Sequence, residues 1–181
     1  MKVIGVAGFS GAGKTTLVER LIPLLKRQGQ RVSVVKHAHH KFDIDHPGKD
    51  TWRHREAGAF EVVAASDQRL ALMREFETPV QLGVHDLIAE LDPGVDWVLV
   101  EGFKHSDLPK IEVWRAAAEG EAPRPLRQAE DAFIVAVATD APLALPASIR
   151  LPIFDLDDVD GIARWLLLNA DQFVYKVKHH G

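Results

Sequence analysis

No cysteine occurs in the chain, which excludes disulfides and thiolate metal sites and fits the reducing conditions of a cytosol. No apolar run approaches the length of a membrane span, and Trp165-Leu166-Leu167-Leu168 is far too brief. The N-terminal run behind Lys2 imitates the start of a signal peptide, but it is short, Gly-rich and soon interrupted. Neither sign of charge is in large excess. With 22 Lys and Arg against 26 Asp and Glu the net charge is −4, which gives no reason to expect nucleic acid or an anionic membrane as main partner. Repeats and low-complexity segments are also missing. What is present is an ordinary soluble composition, 46% hydrophobic and 27% charged over 181 residues. That length suits a single domain, 1–181, with a real core, and is too short for two comfortable ones.

The most informative stretch is Gly8-Phe9-Ser10-Gly11-Ala12-Gly13-Lys14-Thr15. It fits G-x-x-x-x-G-K-[ST], the loop that cradles nucleotide phosphates. Lys2 to Ala7 before it reads as a short buried strand, and Thr16 to Ile22 after it starts an amphipathic helix, which is the flanking pattern the motif needs. Glycines let the backbone turn tightly and aim its N–H groups at phosphate oxygens, at a helix N-terminus that already favours anions. Gly8, Ser10, Gly11, Ala12, Gly13, Lys14, Thr15 and Thr16 are therefore the expected triphosphate contacts. Lys14 supplies a point charge near the β/γ-phosphates, and the Thr15 hydroxyl is an expected Mg²⁺ ligand.

Strand-like and helix-like segments alternate along the chain, as in a mainly parallel α/β sheet. The first helix should run to about Arg27, with Leu17, Leu21, Leu24 and Leu25 as its apolar stripe and a kink at Pro23. Arg31 to Lys36 reads as the second strand. A polar loop then leads to a short helix from Asp50, its expected N-cap, to Ala57. Glu61 to Ala65 and Arg69 to Arg74 read as an antiparallel hairpin within the α/β unit, turning at Ser66-Asp67-Gln68. Thr78-Pro79 predicts the start of a helix to Leu91. Strands are expected over Asp96 to Gly102, Lys110 to Trp114, Ala132 to Ala138 and Leu151 to Phe154, with a closing helix over Asp157 to Leu168. Ala116 to Glu130 reads as a surface loop. The fold class is α/β, a three-layer P-loop NTPase fold with a mainly parallel sheet and an antiparallel hairpin.

Glu101 ends the strand Val98-Leu99-Val100-Glu101. An acidic side chain at the carboxyl end of a neighbouring strand is where phosphoryl-transfer sites hold Mg²⁺, so Thr15 and Glu101 form the expected metal pair and Lys14 and Glu101 the expected catalytic pair. The other reading of Glu101 is a solvated turn residue. Lys36 and His37 end the second strand on the same edge and are placed to touch a γ-phosphate or a partner's substrate. His37, His39 and His40 suggest a metal cluster, but alternate residues of a strand face opposite ways, which favours a polar loop. Asp43 and Asp45 are open between holding metal-bound water and being solvated loop residues. Arg53 and Arg55 are open between phosphate pairing and an exposed helix face.

Several segments together resemble one family. They are the loop through Thr16, Val34-Val35-Lys36-His37-Ala38-His39-His40, Asp43 with Pro47-Gly48-Lys49-Asp50, Val100-Glu101-Gly102-Phe103-Lys104, and Pro109-Lys110-Ile111-Glu112-Val113. In order and spacing they are similar to the molybdopterin-guanine dinucleotide biosynthesis protein B (MobB) family. The resemblance implies a cytoplasmic, usually dimeric GTP-binding adapter with weak hydrolysis. It would work beside the guanylyltransferase that attaches GMP to the molybdenum-pterin cofactor. Guanine preference lacks its usual Asn-Lys-x-Asp signature here. Asp140, after the buried run to Thr139, is the natural substitute, since its carboxylate can accept from N1 and N2 of guanine; the competing reading is a cap for the turn at Pro142. Two alternatives to the adapter stay in play. One is a small-molecule kinase or ATP-dependent ligase whose lid would be Arg115 to Arg127; the other is a non-catalytic nucleotide-bound module.

Overall fold

The computed structural model describes residues 1–38, 45–117, 120, 122 and 124–176. The chain divides into two compact units, one of Met1–His37 with Val84–Gly181 and the other of Ala38–Gly83.

The first unit is built on a six-stranded sheet. Its strands are β1 (Lys2–Ala7), β2 (Val32–Lys36), β5 (Trp97–Glu101), β6 (Lys110–Trp114), β7 (Ile134–Thr139) and β8 (Ile153–Asp155), and their order is β2-β5-β1-β6-β7-β8. Every pairing in it is parallel. Parallel strands covered on both faces read as nearly continuous apolar runs, and β5 and β6 are buried at every position. Side-chain alternation divides them between two cores. Ile4, Val6, Trp97, Leu99, Ile111, Val113, Ala136 and Ala138 face helices α1 (Lys14–Arg27) and α4 (Val159–Leu168). Val3, Val35, Val98 and Val100 face α3 (Val84–Ala89). Helix, sheet and helix make the three layers.

The helices follow from their apolar spacing. α1 buries Leu17, Leu21 and Leu25, one residue per turn down one face, and it continues through Pro23 although that residue supplies no N–H to the ladder. Each such buried leucine contributes about 1.5–3 kcal/mol. α4 buries Val159, Ile162, Ala163 and Leu166, and begins at the Asp158 cap, whose Oδ1 accepts the Gly161 N–H at 2.9 Å.

The second unit holds α2 (Asp50–Glu56) and the hairpin β3 (Glu61–Ala65) and β4 (Leu70–Arg74), which pair antiparallel as a sheet of their own. The Ser66 Oγ accepts the N–H groups of Gln68 and Arg69, which fixes the turn at the expected place.

Four expectations need correction. The antiparallel hairpin forms as expected, but as a sheet of its own in the second unit rather than within the α/β unit. Asp50 is the first helical residue of α2, with Lys49 at the cap position, so its charge meets the helix dipole without capping a backbone N–H. No helix starts at Thr78-Pro79. Residues 78–83 are exposed and have no face to bury, and the helix begins only where Val84 and Ile88, one turn apart, enter the second core. β7 starts at Ile134, because Ala132 and Phe133 are still exposed.

Candidate functional site

The loop between β1 and α1 is shaped by two glycines. A Cβ on Gly8, at φ 144°, would collide with the carbonyl oxygen of Val113, and Gly13 takes the left-handed conformation at φ 102° that turns the chain into α1. No side chain caps α1 and no acidic residue lies in its first turn. The unpaired N–H groups of that turn, with the partial positive charge of the helix end, are thus left for a ligand anion. Ser10, Gly11, Thr15 and Thr16 are exposed on this loop and turn, while Ala12 is buried beneath it. Lys14 folds back so that its Nζ donates to the Phe9 carbonyl at 2.7 Å. Burial, helped by the nearby Lys36 cation, holds the Lys14 ammonium below its ordinary pKa in spite of Glu101. A nearby anion would favour the charged ammonium and so oppose both effects.

Beside the loop, three predicted residues converge. Lys36 and Glu101 are register partners on adjacent strands β2 and β5 and therefore project to the same face. The Lys36 Nζ lies 3.1 Å and 3.2 Å from the two carboxylate oxygens of Glu101. The Thr15 Oγ1 donates to Glu101 Oε1 at 2.6 Å, across 86 residues of sequence. Glu101 is 8% exposed, so it is not a solvated turn residue. A hydroxyl and a carboxylate in contact beside the β1–α1 loop are hard oxygen donors of the kind that could hold Mg²⁺.

The backbone after Glu101 is unusual. Gly102 has φ 96°, and a Cβ there would stand 2.8 Å from that of His37. Phe103 follows at φ 43°, the one non-glycine residue with positive φ among those described, and its ring lies 4.8 Å from the imidazole of His37. Backbone strain of this kind costs about 1–3 kcal/mol and gathers at functional sites. Here it follows directly on the carboxylate that Thr15 and Lys36 share. His37 itself continues the β2–β5 ladder, its N–H donating to the Glu101 carbonyl at 3.0 Å.

Asp140 emerges at the carboxyl edge of the sheet but does not join this cluster. Its Oδ2 lies 3.0 Å from Nη1 of Arg115, and Arg115 Nε donates to the Ala12 carbonyl in the loop at 3.1 Å. The Pro142 turn is served by a different group, since Thr139 Oγ1 accepts the Ala141 N–H at 3.0 Å. Arg115 was legible only as one end of a candidate lid. Its position directly after a buried strand, on the edge that carries the loop, was the available signal.

Two buried charges behind the site were also missed. Glu112 of β6 is fully buried and accepts the N–H groups of Arg127 and Gln128 at 2.8 and 3.0 Å, pinning the short 3-10 turn Arg127–Ala129. Burial pushes its carboxyl above the ordinary value despite those bonds. Lys110, equally enclosed, lies 3.1 Å from Asp131, and its stem fills the space that a side chain at Gly5 would need.

In the second unit, Asp45 is enclosed and paired rather than solvated. It accepts from Thr51 Oγ1 at 2.9 Å and lies 3.3 Å from Arg55, which is also 2.6 Å from Glu75. Its burial works against ionisation, but the bonds from Thr51, the His46 N–H and Arg55 outweigh it and hold the carboxyl below its ordinary pKa. Arg55 is thereby an internal ion-pair residue; Arg53 lies on the exposed face, 3.9 Å from Asp50. His39, His40 and Asp43 lie outside the described residues. Among the described residues no three His, Asp or Glu side chains gather as a metal site.

A family model described as molybdopterin guanine dinucleotide synthesis protein B (MobB) matches residues 3–140. The chain belongs to the MobB family. The molybdopterin-guanine dinucleotide biosynthesis adapter protein of Escherichia coli is 40% identical to it over 166 residues, 91% of each chain. The adapter protein of the same name from Haemophilus influenzae is 43% identical, covering 91% of this chain and 89% of its own. The crystal structure of a MobB homologue from Bacillus stearothermophilus superposes with a TM-score of 0.68 at 27% identity, covering 95% of this chain and 99% of that one. The family match takes in the loop, Lys36, Glu101, Arg115 and Asp140 alike.

Proposed function

We propose that this MobB-family protein binds GTP with Mg²⁺ on the Gly8–Thr15 loop. It acts in the cytoplasm as an adapter in molybdopterin guanine dinucleotide biosynthesis, beside the guanylyltransferase. The observation that carries the nucleotide reading is the contact of Thr15 with Glu101 at 2.6 Å, at the first turn of an uncapped helix and with Lys36 on the same carboxylate. The Escherichia coli and Haemophilus influenzae relatives, both molybdopterin-guanine dinucleotide biosynthesis adapter proteins by name, support the adapter role.

Each residue then has a distinct task. The N–H groups of the loop and first turn hold phosphate oxygens, and Lys14 leaves the Phe9 carbonyl to meet the β/γ-phosphates. Thr15 and Glu101 would hold the metal, which would neutralise phosphate charge. Lys36, on the same carboxylate, would add a positive charge beside the phosphates. Asp140 reads the base. Hydrolysis is weak, as befits an adapter.

A second copy of the chain is the proposed partner of the hairpin. Val63, Leu70 and Leu72 on one of its faces are 58%, 69% and 44% exposed, an apolar strip of the kind that homodimer interfaces cover. The kinase reading draws less support. Both ends of its candidate lid are tied down, Arg115 at Ala12 and Asp140, and Arg127 through its N–H at Glu112.

Size-exclusion chromatography with purified molybdopterin guanylyltransferase tests this reading, alongside a phosphate-release assay. A dimer that co-elutes with the transferase, and turnover far below the ~1–100 s⁻¹ of kinases, is expected. Rapid phosphate transfer to a small-molecule acceptor would replace the adapter with a kinase.

A further inference from the structure

We infer that Arg115 is a specificity residue of the nucleotide site: a flat guanidinium, held between the loop and Asp140, on which a purine base stacks. The inference rests on the proposed binding of GTP at the Gly8–Thr15 loop.

Placement comes first. β6 and β7 are sheet neighbours with Trp114 opposite Thr139, so the residues that follow them, Arg115 and Asp140, leave the carboxyl edge side by side. In open α/β sheets that edge is where ligands lie. The loop after β1 holds one end of the crevice. Arg115 reaches it through Nε to the Ala12 carbonyl at 3.1 Å, and reaches Asp140 through Nη1 at 3.0 Å. Its Nη2 would lie 3.7 Å from a Cβ built on Gly13, so the guanidinium runs directly past the loop.

These contacts do little for stability. The side chains of Arg115 and Asp140 are 45% and 41% exposed, and ion pairs that open are worth little to the fold. They do fix geometry. The Nε hydrogen bond and the Nη1 ion pair hold the guanidinium at two of its nitrogens, and an Arg face stacks on aromatic rings. Because the plane is already held, a base landing on it loses little side-chain freedom. A lysine, carrying a point charge on a flexible stem, could not hold two edges and present a face. The same contacts hold the Asp140 carboxylate and link it to the loop proposed to take the phosphates. Stacking and hydrogen-bond reading are thereby divided between two adjacent strands, which accounts for a guanine site without an Asn-Lys-x-Asp sequence.

The test is equilibrium binding of GTP, ATP and inorganic tripolyphosphate, all with Mg²⁺, to the full chain and to Arg115→Gln and Arg115→Lys. Circular dichroism and thermal melting run in parallel to identify any variant that does not fold. Arg115→Gln should weaken GTP about tenfold and lower the GTP-to-ATP preference, while tripolyphosphate, which has no base, changes less than about twofold. Arg115→Lys should keep tripolyphosphate binding and still lose GTP affinity. If GTP and tripolyphosphate weaken together in the folded variants, Arg115 only props the loop and the inference is wrong. Unchanged GTP binding overturns it as well. A parent chain that binds tripolyphosphate but not GTP removes the base site alone. A parent that binds neither removes the nucleotide reading itself.

Discussion

The six-stranded sheet and the two-stranded hairpin solve the same problem to different degrees. In the sheet, β5 and β6 are buried at every position, with helices over one face and α3 over part of the other. In the hairpin, Val62, Ala64, Ala71 and Met73 lie on the sheltered face, while Val63, Ala65, Leu70 and Leu72 lie on an exposed one. A two-stranded ribbon is marginal alone and needs a covering surface. The difference teaches where each property resides. The sheet holds the fold and puts Thr15, Lys36, Glu101, Arg115 and Asp140 at its carboxyl edge; the hairpin presents apolar surface that the proposed second copy would cover.

The largest test of that contrast is in the core. Leu21→Ala, at a fully buried position of α1, should cost about 2–5 kcal/mol in a denaturant melt. Leu70→Ala on the bare hairpin face should stay within about 0.5 kcal/mol in the monomer. Equal losses would erase the distinction between the two sheets.

Next is the sheet edge. Glu101→Gln keeps the shape and removes the charge that Lys36 and Thr15 face. It should weaken Mg²⁺–GTP about tenfold and metal-free GTP far less, as read by titration calorimetry. Equal weakening with and without Mg²⁺ would show that the carboxylate does not hold the metal.

Leu72→Asp sharpens the hairpin side. If the proposed dimer forms on this face, a charge opposite Val63 should shift it to monomer in sedimentation velocity, with almost no change in secondary structure. A dimer that persists would place the second copy elsewhere.

The smallest effect concerns acid. Asp45 is held below its ordinary pKa of 3.8, so its bonds stabilise the folded state above that value and are lost as pH falls through the lower folded pKa. Asp45→Asn should therefore be less stable than the parent at pH 7, with the gap closing on acidification below about pH 4. A gap that stays constant with pH would remove the ionised carboxylate from the account.

Much of this was legible in the sequence, for physical reasons. Buried parallel strands announce themselves as apolar runs, and Val98-Leu99-Val100-Glu101 ended where it was expected to end. The glycine spacing of the loop fixed its position because only glycine tolerates Gly8 against Val113 and the left-handed turn at Gly13. The contact of Lys36 with Glu101 was harder to read, since strand register is a tertiary property. Thr78-Pro79 misled because a cap and first-turn proline are local signals, whereas the helix forms only where Val84 and Ile88 find a core. Asp45 and Glu112 show the same limit. The partners that enclose these polar residues lie distant along the chain or across a turn, where a sequence does not show them.

The central claim is that the Gly8–Thr15 loop and Glu101 form a site for Mg²⁺ and GTP. Titration calorimetry of GTP and ATP, with and without Mg²⁺, against the parent chain and Lys14→Ala tests it most directly. The account predicts that GTP binds more tightly than ATP, that Mg²⁺ strengthens binding, and that Lys14→Ala loses the triphosphate while melting at the parent's temperature. A folded Lys14→Ala variant that binds GTP as tightly as the parent would contradict it.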